Sequence, residues 1–313
     1  MYYPYFRGKQ FELIAIRDTA ELMAGAGFTP IIEPVKAQLK GLQRALDAVC
    51  TAGGTVIVVV NPEYGDHADD GEKISTLLRD EYLELENVYA GLLLTETTSL
   101  GDAVKLYNNH KEHQPVFIHA GFMDAKALAE KIGDKLEKTR HVFFEQNCKK
   151  LYRKHFDGAH RVLLRDGFTK RRNADHLSIP IEVFSDLHIT YTDEGMDGFG
   201  DFLTVGSEFT EGGGPAYAVA IHLTFIDAAK DDEMYIHHFV SDSKDTPTDP
   251  AGKFAEALLK LRITYDTGKS GLFLGKALTQ FLELQEKEHF PGLGQAKKLS
   301  MIHHIETINN FLH

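Results

Sequence analysis

Residues 90–119, AGLLLTETTSLGDAVKLYNNHKEHQPVFIH, decide the fold. Ala90 to Leu94 is a short, nearly continuous apolar run, Val104 to Tyr107 has the spacing of a short helix, and Pro115 to His119 is apolar again. A strand buried on both faces, a covering helix and a second buried strand make one right-handed parallel crossover.

The same unit recurs on either side. Towards the amino terminus, Thr55 to Val60 and Thr29 to Pro34 read as strands. Between them Leu39, Leu42, Leu46 and Val49 share one helical face, and Gly53-Gly54 end that helix. Phe11 to Ile16 reads as the first strand, followed by a short helix that Asp18 caps and Gly25 and Gly27 end. Towards the carboxyl terminus, Asp124 opens a helix carrying Leu128, Ile132 and Leu136, and strands follow at Val142 to Phe144, Val162 to Leu164 and Phe202 to Val205.

Eight such strands are the number that closes a barrel, so the expected fold is a TIM-like (β/α)8 barrel of the α/β class. An open doubly wound sheet is the alternative, because residues 169–200, where the seventh helix belongs, read as loop plus the strand-like Ile179 to Phe184. Beyond the glycines 212–214, Val219, Ile221, Leu223 and Phe225 alternate, as do Met234, Ile236 and Val240, which predicts an added antiparallel hairpin. Helical patterns follow from Phe254 onward. We therefore expect a single domain over 1–313, with the barrel at 11–265, the hairpin inserted at 216–241 and a helical cap at 266–313.

Composition narrows the function classes. The 313 residues are 43% hydrophobic and 26% charged with a net charge of −12, which suits a folded core and argues against a broad nucleic-acid face. Only Cys50 and Cys148 are present, in no paired motif, so a disulfide framework is not expected. No run approaches the roughly 18 apolar residues that cross a bilayer, and the amino terminus lacks a signal-peptide pattern. The expected location is the cytoplasm, away from membranes. The aromatic opening Tyr2 to Phe6 is expected to plug the amino-terminal mouth of the barrel.

In such barrels chemistry is built at the carboxyl ends of the strands. Those ends hold Arg17, Asp18, Glu33, Asn61, Glu96, His119, Glu145, Arg165 and Glu208. Glu33, His119 and Glu145 are the candidate acid/base groups or cation ligands, with Arg17 as an electrostatic clamp. The competing reading buries each carboxylate in an ion pair with Arg17 or Arg165.

The loop 167–173 groups Lys170, Arg171 and Arg172 beside Gly167, and with Arg165 and Asn61 these are candidate anion-binding residues. A solvated basic run is the alternative. Asp186 and His188 would share a face if extended, and with Glu208 they are a candidate divalent-metal set; a solvated loop competes. His222, His237 and His238 could meet across the hairpin, but read as surface histidines. Walker A, GxGxxG and GxSxG patterns are absent.

The segments YYPYFRGKQFELIAIRD at 2–18, IIEPVK at 31–36, FSD at 184–186 and GFGDF at 198–202 resemble the "beta protein" family of bacteria and phages. The resemblance implies a bacterial or phage-related setting and carries no activity or catalytic residues with it. The functional expectation is a barrel enzyme using acid/base or metal-assisted chemistry, of hydrolase or lyase type, on a small anionic and perhaps phosphorylated substrate. A non-catalytic scaffold binding a protein partner in a phage-related or defence-related system is the alternative.

Overall fold

The computed structural model describes residues 1–313. In chain order its first half runs β1 (Tyr5–Phe6), α1 (Gln10–Asp18), α2 (Ala20–Gly25), β2 (Ile31–Ile32), α3 (Lys40–Thr51), β3 (Val56–Val59), α4 (Glu72–Glu81), β4 (Val88–Thr95) and α5 (Leu100–Asn109). Then come β5 (Val116–Ala120), α6 (Ala125–Ile132), β6 (Arg140–Phe144), α7 (Lys150–Arg153), β7 (His160–Leu164), β8 (Ile181–Ser185), α8 (Leu187–Thr190) and β9 (Gly198–Gly200). The chain ends with β10 (Ala220–Asp227), β11 (Glu233–Val240), α9 (Pro250–Asp266), α10 (Lys276–Glu286) and α11 (Leu293–Leu312). No helix is long and apolar enough to cross a membrane.

Where the sequence reads as one domain, contacts group the chain into two compact units, Met1–Arg165 with Thr190–Asp201, and Asp166–Ile189 with Phe202–His313. The first is the TIM-like barrel. Its eight strands lie in the order β1-β2-β3-β4-β5-β6-β7-β9, every neighbouring pair parallel. The ring is joined at β9 by the amino-terminal segment: Tyr3 N–H donates to the Phe199 carbonyl at 2.8 Å and Tyr5 N–H to the Asp201 carbonyl at 2.9 Å. Tyr5 and Phe144, on the non-adjacent strands β1 and β6, meet edge to face at 5.4 Å inside the ring.

Two strands differ from expectation. Phe11 to Ile16 is helix α1, with Leu13, Ala15 and Ile16 buried, and the first strand is the aromatic segment read as a plug. A six-residue apolar run is too short for its period to separate strand from buried helix. The eighth strand is Gly198–Gly200, and Leu203–Val205 is a 3-10 turn. Two of the three residues of this strand are glycine because the amino-terminal segment before β1 lies so close: a Cβ at Gly200 would sit 2.0 Å from the Tyr3 carbonyl oxygen. Low strand propensity is here the mark of close backbone approach.

In the second unit β10 and β11 form the expected hairpin, and β11 also pairs antiparallel with β8. Ile179 to Phe184 is thus strand-like, but it belongs to this three-stranded sheet. Ile221, Leu223, Met234 and Ile236 are buried, and α11 packs on β10, where the His304 ring meets Thr224 Oγ1 at 2.8 Å. The Glu306 carboxylate of α11 accepts the first N–H groups of α10, from Lys276 at 3.0 Å and Ala277 at 3.1 Å, capping that helix.

Candidate metal centre

At the carboxyl ends of the barrel strands the charges are already matched. Glu33, fully buried after β2, accepts from Tyr5 Oη at 2.7 Å, from the Glu63 N–H at 2.9 Å and from the Arg7 guanidinium. Arg7 follows β1 and lies over the Tyr64 ring at 4.9 Å. Gly8 between these groups has φ +62°, and a Cβ there would lie 2.9 Å from the Glu33 carbonyl oxygen, so glycine admits the close turn. Burial, then the Glu33 charge, pushes the neighbouring Glu63 carboxyl up. Glu145 is held in a two-bond pair with Arg165 on the next strand end, at 2.6 and 2.9 Å.

The other strand-end candidates have distinct placements. Arg17 is exposed in the last turn of α1, because the segment before it is helical, and Arg7 is the cation that meets Glu33. Asn61 spends its amide on the Leu93 backbone, donating to the carbonyl at 2.8 Å and accepting the N–H at 2.9 Å, which staples β3 to β4. His119 points to the helix-facing side of β5. Its Nδ1 meets Tyr152 Oη of α7 at 2.7 Å, and its Nε2 meets His141 Nδ1 at 2.9 Å within a stack of Phe117, Phe143 and Phe156. Burial holds the His119 imidazole down at about 3, so it is neutral.

The basic loop is also paired internally. Lys170 meets exposed Glu208 at 3.2 Å, Arg171 forks onto Glu182 at 2.5 and 2.9 Å, and Arg172 forks onto Asp175 at 2.9 and 3.0 Å. The backbone N–H groups of Phe168 and Ser207, which a phosphate would need, donate to the Asp166 carboxylate at 3.0 and 2.7 Å. Asp186, His188 and Glu208 do not gather. Residues 187–190 form a helical turn instead of an extended segment, and His188 Nε2 is spent on the Asp232 carbonyl at 2.9 Å.

The cluster that does gather is His176, His222 and His238, whose ligand-type atoms all lie within 4.8 Å of one another. His222 on β10 and His238 on β11 are register partners, so the hairpin itself sets them opposite each other. His176 comes from the 3-10 turn Asn173–Ser178, its ring 4.2 Å from that of His238 and 5.0 Å from that of His222. Phe168 packs against the group, 5.0 Å from the His222 ring. His237, next along β11, faces away and meets the Ser270 carbonyl at 2.8 Å. The expectation that His222, His237 and His238 are surface histidines is corrected: His237 and His238 are buried and His222 is half-buried.

Burial first, and then His176, brings His238 down to about 4; burial, then His238, takes His222 far below its ordinary value. His176 is lowered by burial and by Arg171. All three rings are neutral near pH 7, the state in which an imidazole can ligate a metal. His222 Nδ1 and His238 Nδ1 lie 2.7 Å apart, and His238 Nε2 is 3.0 Å from Glu182 Oε1. Although burial pushes the Glu182 carboxyl up, hydrogen bonds from Arg171 and His238 hold it below the usual carboxylate range. His176 is fully buried with neither ring nitrogen hydrogen-bonded.

Comparison with protein-family models, curated proteins and solved structures finds no match. One signal for this cluster was present in the sequence: His222 and His238 are equidistant from Lys230, so a hairpin turning there pairs them. No periodicity announces His176, because it joins them from an irregular turn.

Proposed function

We propose that this chain binds a divalent transition-metal cation through His176, His222 and His238 and uses it for hydrolase- or lyase-type chemistry on a small anionic substrate. The observation that carries the reading is His176. An imidazole with both nitrogens buried and unsatisfied costs on the order of 1–3 kcal/mol per polar group, and a cation accepting its lone pair removes part of that cost. Three neutral nitrogen donors match the preferences of zinc and its neighbours in the first transition row. They leave the full positive charge of the ion on the site, which favours an anionic oxygen as a further ligand. When bound, such an ion polarises a carbonyl or phosphoryl oxygen, or lowers the pKa of a water towards about 7.

The strand-end carboxylates suit proton transfer less well, because Glu33 and Glu145 are each bonded to a guanidinium. The likeness to the "beta protein" family stays part of this reading as a proposed setting, bacterial or phage-related. Metal analysis of protein purified without chelators tests it: about one equivalent of zinc, cobalt, nickel, manganese or iron per chain is expected, together with a higher unfolding midpoint than the chelator-stripped protein. Protein that carries no metal and whose midpoint is unmoved by any of these cations would overturn it.

A further inference from the structure

The bond between His238 and Glu182 reaches beyond the identity of the three ligands. An ionised carboxylate can only accept, so the hydrogen between Glu182 Oε1 and His238 Nε2, 3.0 Å apart, sits on the histidine. A neutral ring protonated at Nε2 has its lone pair at Nδ1. That lone pair is aimed at His222 Nδ1, 2.7 Å away, which must therefore carry the hydrogen of the shared bond. Arg171 in turn grips both oxygens of Glu182, at 2.5 and 2.9 Å, so the carboxylate cannot rotate away from His238. The chain of bonds runs from Arg171 through Glu182 and His238 to His222, across the three strands' worth of sheet formed by β8, β11 and β10.

We infer that Glu182 is the positioning residue of this centre: it fixes the tautomer of His238 so that Nδ1 is the ligating atom, and the entering cation replaces the hydrogen between His238 Nδ1 and His222 Nδ1. This rests on the metal-binding reading above. Two nitrogens on one tetrahedral ion with arms of about 2.0–2.1 Å stand about 3.4 Å apart, so binding widens the 2.7 Å pair by well over half an ångström. The hydrogen leaving His222 Nδ1 is balanced by one arriving at its Nε2, and both rings stay neutral. A carboxylate behind a ligating imidazole also raises the basicity of the ligand nitrogen.

Zinc and cobalt are the probes. Zinc affinity, measured by competition with a chromophoric chelator, should fall about 10–100-fold in Glu182→Gln and Glu182→Ala, as loss of such an outer partner typically does. The visible bands of the cobalt-loaded protein should shift in both variants. In Glu182→Gln one of the two oxygens that accept from Arg171 and His238 becomes an N–H donor, so the loss persists without a change in volume. Variants that bind zinc as tightly as the parent chain, with the same cobalt spectrum, would overturn the inference and leave the metal-binding reading standing. A parent chain that binds neither ion would remove the reading itself. Should the variants not fold, imidazole nitrogen NMR of the parent protein decides: His238 must be Nε2–H in the metal-free state, and an Nδ1–H tautomer would overturn the inference.

Discussion

His222 and His238 stand directly opposite on the β10–β11 ladder, and their Nδ1 atoms share one hydrogen across 2.7 Å. A donor facing an acceptor is a satisfied pair and by itself requires no metal. What separates this pair from an ordinary buried contact is the third ring, since His176 packs on both and has neither a donor nor an acceptor to meet.

Replacing His176 by leucine removes a ligand and also removes two unsatisfied buried nitrogens. In chelator the His176→Leu protein is expected to be at least as stable as the parent, because an apolar group of similar size replaces polar atoms that gain nothing from burial. With zinc the order reverses, since only the parent gains binding energy. Urea unfolding with and without zinc reads both effects. A variant that loses stability in chelator and still responds to zinc like the parent would contradict this account.

His119 and His141 make the barrel unit sensitive to acid. Burial takes the folded His119 down to about 3 and holds His141 well below its ordinary value, while an unfolded histidine titrates near 6.5. Below about pH 6.5 the unfolded chain therefore binds protons that the folded one excludes. Their stabilising effect is complete above that pH and is lost progressively as the pH falls below it, for His119 down to about 3, at up to about 1.4 kcal/mol per pH unit for each ring. Denaturation series between pH 7 and pH 4.5 should show this slope, and His119→Phe should make it shallower by one proton's worth. An unchanged slope would place the acid sensitivity elsewhere.

Glu33 and Arg7 can be separated by a double-mutant cycle. Arg7→Leu alone leaves a fully buried carboxylate without its cation, and a loss of about 3–5 kcal/mol is expected. Changing Glu33 to Gln in the same chain should recover part of that loss, because the amide is neutral and its single oxygen still accepts from one of the two donors, Tyr5 Oη or the Glu63 N–H, which the carboxylate receives on separate oxygens. Additive losses in the cycle would show that the pair is not coupled.

Closure of the barrel rests on a missing Cβ. Gly200→Ala places an atom 2.0 Å from the Tyr3 carbonyl oxygen, and the backbone must shift to admit it. We expect a loss of more than about 2 kcal/mol, in the range of overpacked cores. Gly212→Ala, where nothing lies within 4 Å of the added atom, should leave the unfolding midpoint within a degree or so of the parent. Equal midpoints for the two variants would refute the close-approach explanation for the glycines of β9.

The middle strands, from β3 to β7, were legible because each is a run of apolar residues buried on both faces, as Val56–Val59 is throughout. The hairpin was legible for the opposite reason: Ile221, Leu223 and Phe225 alternate with the polar residues His222 and Thr224. The two strands where the ring meets were not. One is aromatic and two residues long, the other is two-thirds glycine, and they are joined through the amino-terminal segment, where Tyr2 bridges to Phe199.

The candidate site shows the same division. The sequence by itself determined which residues could ionise or ligate, the pairing of His222 with His238 once a hairpin turns at Lys230, and a parallel α/β scaffold. Tertiary structure alone decided that Glu33 answers to Arg7, that His119 turns towards the helices, and that His176 arrives from an irregular turn beside the hairpin pair. The physical reason is range: strand and helix periods are written between near neighbours, whereas partners for buried charges and lone pairs are chosen among groups far apart in sequence, where only the packed chain brings them within a few ångströms.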